Sequence, residues 1–264
     1  GKRLLQQWLV APLASLAPLQ QRQQVVDLLA KEPRSRAELR DTLRGTSDLG
    51  RALSRIALDR GGPRDLDALR QTLNQLPDLV RRLQPLLTAS NQNALLKSIT
   101  KNMEGFEHLA ATLRSALLTD NLPLLARDGN FLQATYDKQL GEHVDLAKNG
   151  RQRLLELERR EAEATGISPL KVRYNKVWGY FLEETNSQIS KVPERYIHRQ
   201  TTTNNQRFST TELMELERAL GAAEANALAR ELELFGLLVE KIKDTAPRLL
   251  GAAEALAQLD VLCA

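Results

Sequence analysis

The sequence predicts a mainly α-helical protein: a helical bundle with two long antiparallel helices that carry a small inserted antiparallel β-sheet at their tip. Leu, Ala, Gln, Arg and Glu dominate most of the 264 residues, and apolar residues recur three and four positions apart, which indicates one buried face per helix. Residues 170–201 instead alternate between the two faces of a strand and are rich in aromatic and β-branched types. Helical spacing returns after residue 209, so the sheet is predicted to interrupt a helical protein.

Residues 1–125 are predicted to form a bundle of about six helices, given ordinary helix lengths. Proline and glycine mark the predicted breaks between helices, at Pro33, Gly61-Gly62-Pro63, Pro77, Pro85, Pro123 and Asp128-Gly129-Asn130. A longer helix is predicted from Asp137 to Thr165, because Gly166 is a residue type that commonly ends helices. Its last turns are polar nearly all round, as in a helix that leaves its bundle for solvent.

The sheet is predicted from three runs, at residues 170–175, 178–183 and 195–201. Asn175-Lys176 can supply a tight turn between the first two, since Asn tolerates a positive φ. Ser209 and Glu212 have the spacing of a capping box, which predicts the start of the returning helix. That helix is predicted to run for about 30 residues, roughly 45 Å at 1.5 Å per residue. Its apolar positions are Leu213, Leu216, Leu220, Ala223 and Ala227, then Leu228, Leu232, Phe235, Val239 and Ile242.

We predict that residues 1–150 form the first part of a helical domain and residues 151–210 an inserted β domain. Residues 211–264 are predicted to form the returning helix and the second part of the helical domain. Residues 166–210 hold seven basic and three acidic residues, although the net charge of the chain is only +4. They also hold six of its eleven aromatic residues. This composition predicts that the insert folds differently from its flanks.

Cysteine content and hydropathy indicate the compartment. The single cysteine, Cys263, has no partner for a disulfide, so a reducing compartment such as the cytoplasm is expected. No apolar run is long enough to cross a membrane, and the first residues are too polar for a signal peptide. Because the sequence lacks an initiator Met and stops in mid-pattern, it is expected to be a piece of a longer protein.

No pattern of catalytic residues emerges. The chain has no G-x-x-x-x-G-K-[ST] loop for a nucleoside triphosphate and no G-x-S-x-G, and its three histidines lie far apart. We therefore expect no enzymatic activity, no metal and no cofactor in this chain. A binding role for the insert is favoured instead.

Phosphate binding needs basic side chains together with short hydroxyl and amide donors. Residues 199–207 supply this mixture, with Lys171, Arg173 and Lys176 in the neighbouring hairpin. The alternative interpretation is an ordinary solvated sheet edge. Trp178, Tyr180 and Tyr196 are expected to form the sheet's own core rather than a platform for stacked bases.

Characteristic motifs follow one another along the whole chain. They include Gly1-x-Arg3-x-Leu5-x-x-Trp8-Leu9, Pro63-Arg64-Asp65-Leu66, Leu157-Glu158-x-Arg160-Glu161, Tyr174-Asn175-Lys176-Val177-x-Gly179-Tyr180 and Arg199-Gln200-Thr201-x-x-Asn204-x-x-Arg207-Phe208. In this order and spacing they resemble the core and lever segment of the MutS family of DNA mismatch-repair proteins. The resemblance implies a helical core, two lever helices and an inserted clamp that closes on duplex DNA through contacts to its backbone.

The resemblance also implies partners and a location. Double-stranded DNA is the expected ligand, and the mismatch-binding, connector and ATPase domains of the same protein, absent here, are the expected neighbours. ATP and magnesium would bind only in that ATPase domain, whose state the lever would relay to the DNA grip. A homodimer in the bacterial cytoplasm, associated with the nucleoid, is expected for the full-length protein. The alternative function is a helical scaffold whose coiled-coil arm binds a protein partner without touching DNA.

Eight residues of the hairpin turn and the last strand and loop are the candidate DNA contacts. They are Asn175, Lys176, Arg199, Gln200, Thr201, Thr203, Asn204 and Arg207. Thr203 stands where the family often has Lys, which would remove one ionic contact.

Overall fold

The computed structural model describes residues 1–175, 177 and 179–264. Over these residues the chain is mainly α-helical with a small antiparallel sheet, which confirms the predicted fold class. The helices are α1 (Lys2–Val10), α2 (Leu16–Lys31), α3 (Pro33–Arg44), α4 (Leu49–Ala57), α5 (Pro63–Ala89), α6 (Ala94–Asn102), α7 (Glu107–Ala116), α8 (Lys138–Thr165) and α9 (Thr211–Cys263). The strands are β1 (Lys171–Asn175), β2 (Gly179–Thr185), β3 (Ile197–Thr201) and β4 (Asn205–Ser209), and short 3-10 helices lie at Ala126–Asp128 and Asn186–Lys191.

The chain divides into two compact units. The first consists of Gly1–Gln133 and Leu232–Ala264, and the second of Ala134–Glu231. Helix α9 contributes residues to both. The predicted insert, 151–210, lies inside the second unit.

The first unit is organised around α5, whose leucines are almost fully buried. Residues 1–125 form seven helices rather than about six, and α5 contacts α3, α4 and α7. The predicted breaks at Pro77 and Pro85 are wrong, because α5 continues through both. A proline inside a helix costs about 3 kcal/mol. Burial of the neighbouring leucines, Leu76, Leu79, Leu83 and Leu86, each at most 2% exposed, outweighs that cost.

Helix α8 of the second unit begins and ends where the sequence predicts. Asp137 caps its first turn, accepting a hydrogen bond from the N–H of Leu140 at 2.9 Å. Gly166 ends it in the left-handed conformation, with φ of 64°.

Helix α9 differs from its prediction in start, length and register. Thr210 caps it, accepting the N–H of Leu213 at 3.1 Å, whereas Ser209 is the last residue of β4, so the predicted capping box is wrong. The helix has 53 residues and continues through Pro247. Between residues 231 and 240 the buried leucines are Leu234 and Leu238, while Leu232 is 39% exposed. Leu232 and Leu234 are two residues apart, so they lie on different faces of the helix.

Helices α8 and α9 pack antiparallel within the second unit. Ion pairs join Asp137 to Arg230 at one end of the pair and Arg160 to Glu212 at the other. Between them, Gly150 of α8 lies against Leu220 of α9. The sequence therefore predicts this pair correctly from its two apolar stripes.

The described strands form an antiparallel sheet in the order β1-β2-β4-β3. Strand β4 was not predicted, since residues 205–207 are polar and resemble a loop. The predicted hairpin joins β1 to β2, with Asn175, the last residue of β1, opposite Gly179. Lys176, predicted to form the turn with Asn175, and Trp178 lie outside the described residues. One face of the sheet carries Leu182 and Phe208, which pack with Tyr196, just before β3, against leucines of α8 and α9. Tyr180 lies at the margin of this cluster, as predicted for Tyr180 and Tyr196.

Candidate nucleic-acid interface

The turn between β3 and β4 presents two of the predicted contact residues to solvent. Thr202 and Asn205 close this turn: the N–H and the Oγ1 of Thr202 both donate to the Asn205 carbonyl at 2.8 Å, and the Asn205 N–H donates to Thr202 Oγ1 at 3.1 Å. Thr203 and Asn204 form the tip and are exposed. Their hydroxyl and amide groups are the kind of donor that binds phosphate oxygens.

Asn186 holds the backbone of this tip from the other side. Its backbone N–H donates to the Asn204 carbonyl and its Nδ2 donates to the Thr203 carbonyl, both at 3.2 Å. This supporting role was not predicted from the sequence. An Asn directly after a strand is a turn-forming signal, but its partner lies 17 residues away and depends on the strand order.

Arg207 lies in β4, not in a loop as predicted. Its Nε donates to Glu183 Oε1 at 3.2 Å, and its Nη1 donates to Gln200 Oε1 at 2.8 Å. Its guanidinium carbon also lies 4.7 Å from the centre of the Phe181 ring. The structure thus brings Arg207 and Gln200 together on the sheet and holds both in place.

Arg199 and Thr201 of β3 are exposed, and each has a partner within the protein. Arg199 Nη2 lies 2.7 Å from the sulfur of Met214 on α9. Thr201 Oγ1 lies 2.9 Å from His198 Nε2. Only Thr201 of these two adjoins the β3–β4 turn.

Asn175 lies at the opposite end of the sheet from Thr203 and Asn204. Its Oδ1 accepts the N–H of Val177 at 2.8 Å. Because Asn175 pairs with Gly179 at the start of β2 and Asn205 pairs with Thr185 at its end, the two turns are about 20 Å apart at 3.3 Å per residue. The predicted contact residues of the two turns therefore do not lie side by side, and whether both meet DNA stays a prediction. Lys176 lies outside the described residues.

A buried polar cluster lies on the helix-facing side of the sheet. Glu161 of α8 accepts hydrogen bonds from Arg195 Nη2 at 2.6 Å and from the Tyr196 hydroxyl at 2.9 Å. Burial, and to a smaller extent the hydrogen bond to Glu161, raises the pKa of Tyr196 above its usual value. These hydrogen bonds fix the segment just before β3 to α8.

Glu184 is buried on the same side of the sheet, at 3% exposure. Within the described part of the chain its Oε1 has no hydrogen-bond partner. Burial raises the pKa of Glu184 to about 7. Ionisation of this carboxyl group near neutral pH therefore opposes folding.

Two further properties bear on function. Residues 1–175, 177 and 179–264 contain no group of three or more His, Cys, Asp or Glu side chains that could hold a metal ion. Among the same residues, no helix is both long and apolar enough to cross a membrane.

Comparison with known proteins identifies the family. The family model described as MutS domain III matches residues 1–264. Proteins named DNA mismatch repair protein MutS are similar to the chain over nearly its whole length. The protein from Ruegeria sp. (strain TM1040) is 42% identical over 100% of the chain. Those from Myxococcus xanthus (strain DK1622) and Geobacillus kaustophilus (strain HTA426) are 41% and 38% identical, each over 99% of the chain.

The chain spans 30% of the length of the Ruegeria relative and 29% of the other two. The family match, by contrast, extends from the first residue to the last. The chain therefore belongs to the MutS family, and the matched segment is its domain III.

Proposed function

We propose that the second unit binds duplex DNA through contacts to the sugar-phosphate backbone, independently of sequence. The observation that carries this proposal is the β3–β4 turn, where Thr203 and Asn204 are exposed at a tip whose backbone is held by Asn186. Hydroxyl and amide groups on this turn can donate hydrogen bonds to a phosphate oxygen without contacting a base edge. The name shared by the relatives, DNA mismatch repair protein MutS, favours DNA as the ligand.

The antiparallel helices α8 and α9 would transmit a conformational change to the DNA-binding β3–β4 turn. Helix α8 and the first part of α9 lie in the second unit with the sheet, and ion pairs join the two helices at both ends of their contact, so a rotation of one would move the other. In the full-length protein the signal would be the nucleotide state of an ATPase domain, which would bind ATP and magnesium. The chain itself is proposed to bind and relay, without catalysis.

The remaining partners are proposed from the same family membership. Mismatch-binding, connector and ATPase domains of the same protein would surround this segment, and the full-length protein would act as a homodimer. A mismatch would be read by the mismatch-binding domain. The unit described here would supply affinity rather than discrimination.

A salt series with the 264-residue chain tests the proposal. Binding to a matched and to a singly mismatched duplex of equal length is measured by fluorescence anisotropy between about 50 and 200 mM salt. Over this range the logarithm of the binding constant falls linearly with the logarithm of the salt concentration. The slope of this line, the salt slope, is roughly proportional to the number of phosphate contacts. We expect weak binding that decreases steeply with salt and is equal for the two duplexes. An affinity that does not change with salt concentration would contradict phosphate contacts and favour the helical scaffold. A tenfold preference for the mismatched duplex would contradict binding that is independent of sequence.

A further inference from the structure

We propose that the sheet face opposite the helices is a second contact surface for the DNA backbone, on which Glu183 competes with phosphate for the guanidinium of Arg173. This inference rests on the proposed function. It places Lys171 and Arg173 on one face with the candidate contacts Gln200 and Arg207, and it adds a residue, Glu183, that would limit the affinity of this face.

The strand register places the relevant side chains on one face. Residues opposite each other in neighbouring strands point to the same side of a sheet. Lys171 is opposite Glu183, Glu183 is opposite Arg207, and Arg207 is opposite Gln200. Arg173, two residues after Lys171, shares the same side. The other side, with Leu182 and Phe208, packs on the helices.

Glu183 binds two arginines of this face at once. Its Oε2 lies 3.2 Å from Arg173 Nε, and its Oε1 lies 3.2 Å from Arg207 Nε. The side chain of Glu183 is only 14% exposed, whereas that of Arg173 is 60% exposed. Glu183 is therefore enclosed by its partners, and Arg173 remains open to a second anion.

The two arginines differ in how firmly they are held. Arg207 is 23% exposed and is also fixed by Gln200 and by the ring of Phe181. Arg173 has Glu183 as its ion-pair partner among the described residues. A phosphate that approaches the face would therefore pair with Arg173 before Arg207. The exposed ion pair of Arg173 with Glu183 contributes only about 1 kcal/mol or less, so it is easily replaced.

The charge and position of the face favour nucleic acid. Lys171, Arg173 and Arg207 oppose one carboxylate, Glu183, among the described residues of this face, so it carries an excess of positive charge. Lys171 and Arg173 are spaced two residues apart on an exposed strand, about 7 Å, which suits a ligand with closely spaced anions. The face also continues into the Thr203–Asn204 tip, because Thr185 of β2 pairs with Asn205.

The test compares two substitutions that remove the same charge. Glu183→Gln frees Arg173, whereas Glu194→Gln removes an exposed carboxylate that has no ion pair with any residue the structure describes. Binding of the 264-residue chain to duplex DNA is measured over the salt series. We expect E183Q to bind at least threefold more tightly than E194Q, with a salt slope about one unit steeper. In the R173Q background the gain from E183Q should disappear.

The outcomes separate this inference from the proposed function. If no variant binds duplex DNA, the proposed function itself fails. If the unmodified chain binds DNA and E183Q matches E194Q, the grip stands but this face is not part of it. A gain by E183Q that is retained with R173Q would also overturn the role of Arg173.

Two controls complete the design. If E183Q does not fold, as judged by circular dichroism, the comparison of R173Q with R218Q decides, because Arg218 is exposed on α9. Equal affinity of these two would contradict the proposal, and threefold weaker binding by R173Q would support it. Polyglutamate is the second probe: a gain by E183Q on polyglutamate but not on duplex would assign the face to an acidic protein segment instead.

Discussion

Gly150 of α8 packs directly against the side chain of Leu220 of α9, with no room for a methyl group. A Cβ placed on Gly150 would come within 2.7 Å of Leu220 Cγ and closer still to its Cδ2. Leu220 is itself 4% exposed and part of the apolar cluster beneath the sheet. This glycine therefore determines how closely the two helices approach, which is the contact that the proposed relay requires.

Gly150→Ala is expected to destabilise the chain by about 1 kcal/mol, because overpacking at Leu220 outweighs the better helix propensity of alanine. Gly221→Ala is the matched control. Gly221 lies in α9 with nothing within 4 Å of an added Cβ, so this change should stabilise by about 0.5–1 kcal/mol. Urea unfolding of both variants measures the difference, and equal shifts would show that the close approach is unimportant.

Asp137 and Arg230 give a prediction for acidic pH. The hydrogen bond from Arg230, at 2.8 Å, and that from the Leu140 N–H lower the pKa of Asp137 from 3.8 to about 2. A lowered pKa means that the ionised form contributes stability above pH 4, and that this contribution is lost as the pH falls from about 4 to about 2.

Asp137→Asn keeps a capping residue and removes the charge. It should therefore cost about 2 kcal/mol at pH 7 and progressively less towards pH 2. Asp145→Asn, an exposed position on the same helix, should cost little at either pH. A penalty for D137N that does not change with pH would mean that the ion pair is not its cause.

Glu184 gives the opposite prediction, at alkaline pH. Because its pKa is raised from 4.5 to about 7, its stability contribution is complete below pH 4.5 and is lost as the pH rises through 7. Glu184→Gln resembles the protonated form and should stabilise the chain by about 3 kcal/mol at pH 8 but hardly at pH 4. Urea unfolding at the two pH values checks this, with the exposed Glu215→Gln as control; a gain of the same size at pH 4 would contradict it.

The sequence predicted those elements whose signals are local. Helix α8 was predicted to within one residue, because Asp137 and Gly166 act on the backbone beside them. Pro77 misled the prediction, since its local cost is smaller than the burial of the leucines of α5 around it. That burial depends on the neighbouring helices, which the local sequence does not reveal.

The candidate site was less predictable than the fold, because it depends on strand order. Asn205–Ser209 forms a strand only because β2 and β3 lie on either side of it, so Arg207 appeared to be a free loop residue. The same order places Asn175 and Asn204 at opposite ends of the sheet. Residue types indicated a phosphate-binding composition, but only the register shows which donors lie together.

The exposed tip offers the most direct gain in DNA affinity. Thr203 is exposed and contacts Asn186 through its carbonyl oxygen, so its side chain can be replaced without loss of that hydrogen bond. Thr203→Lys adds a cation beside Asn204, where the proposed phosphate would lie. We expect tighter binding to duplex DNA and a salt slope about one unit steeper, equally for matched and mismatched duplexes.

Ala222→Lys is the control for this gain, because it adds the same charge at an exposed position of α9. If the tip contacts phosphate, only T203K should make the salt slope about one unit steeper. The new lysine at the tip would pair with a phosphate and release a counterion from the DNA, whereas the lysine of A222K would not. Equal effects of T203K and A222K would show that net charge alone is responsible. The DNA-facing surface would then have to be sought away from the β3–β4 turn.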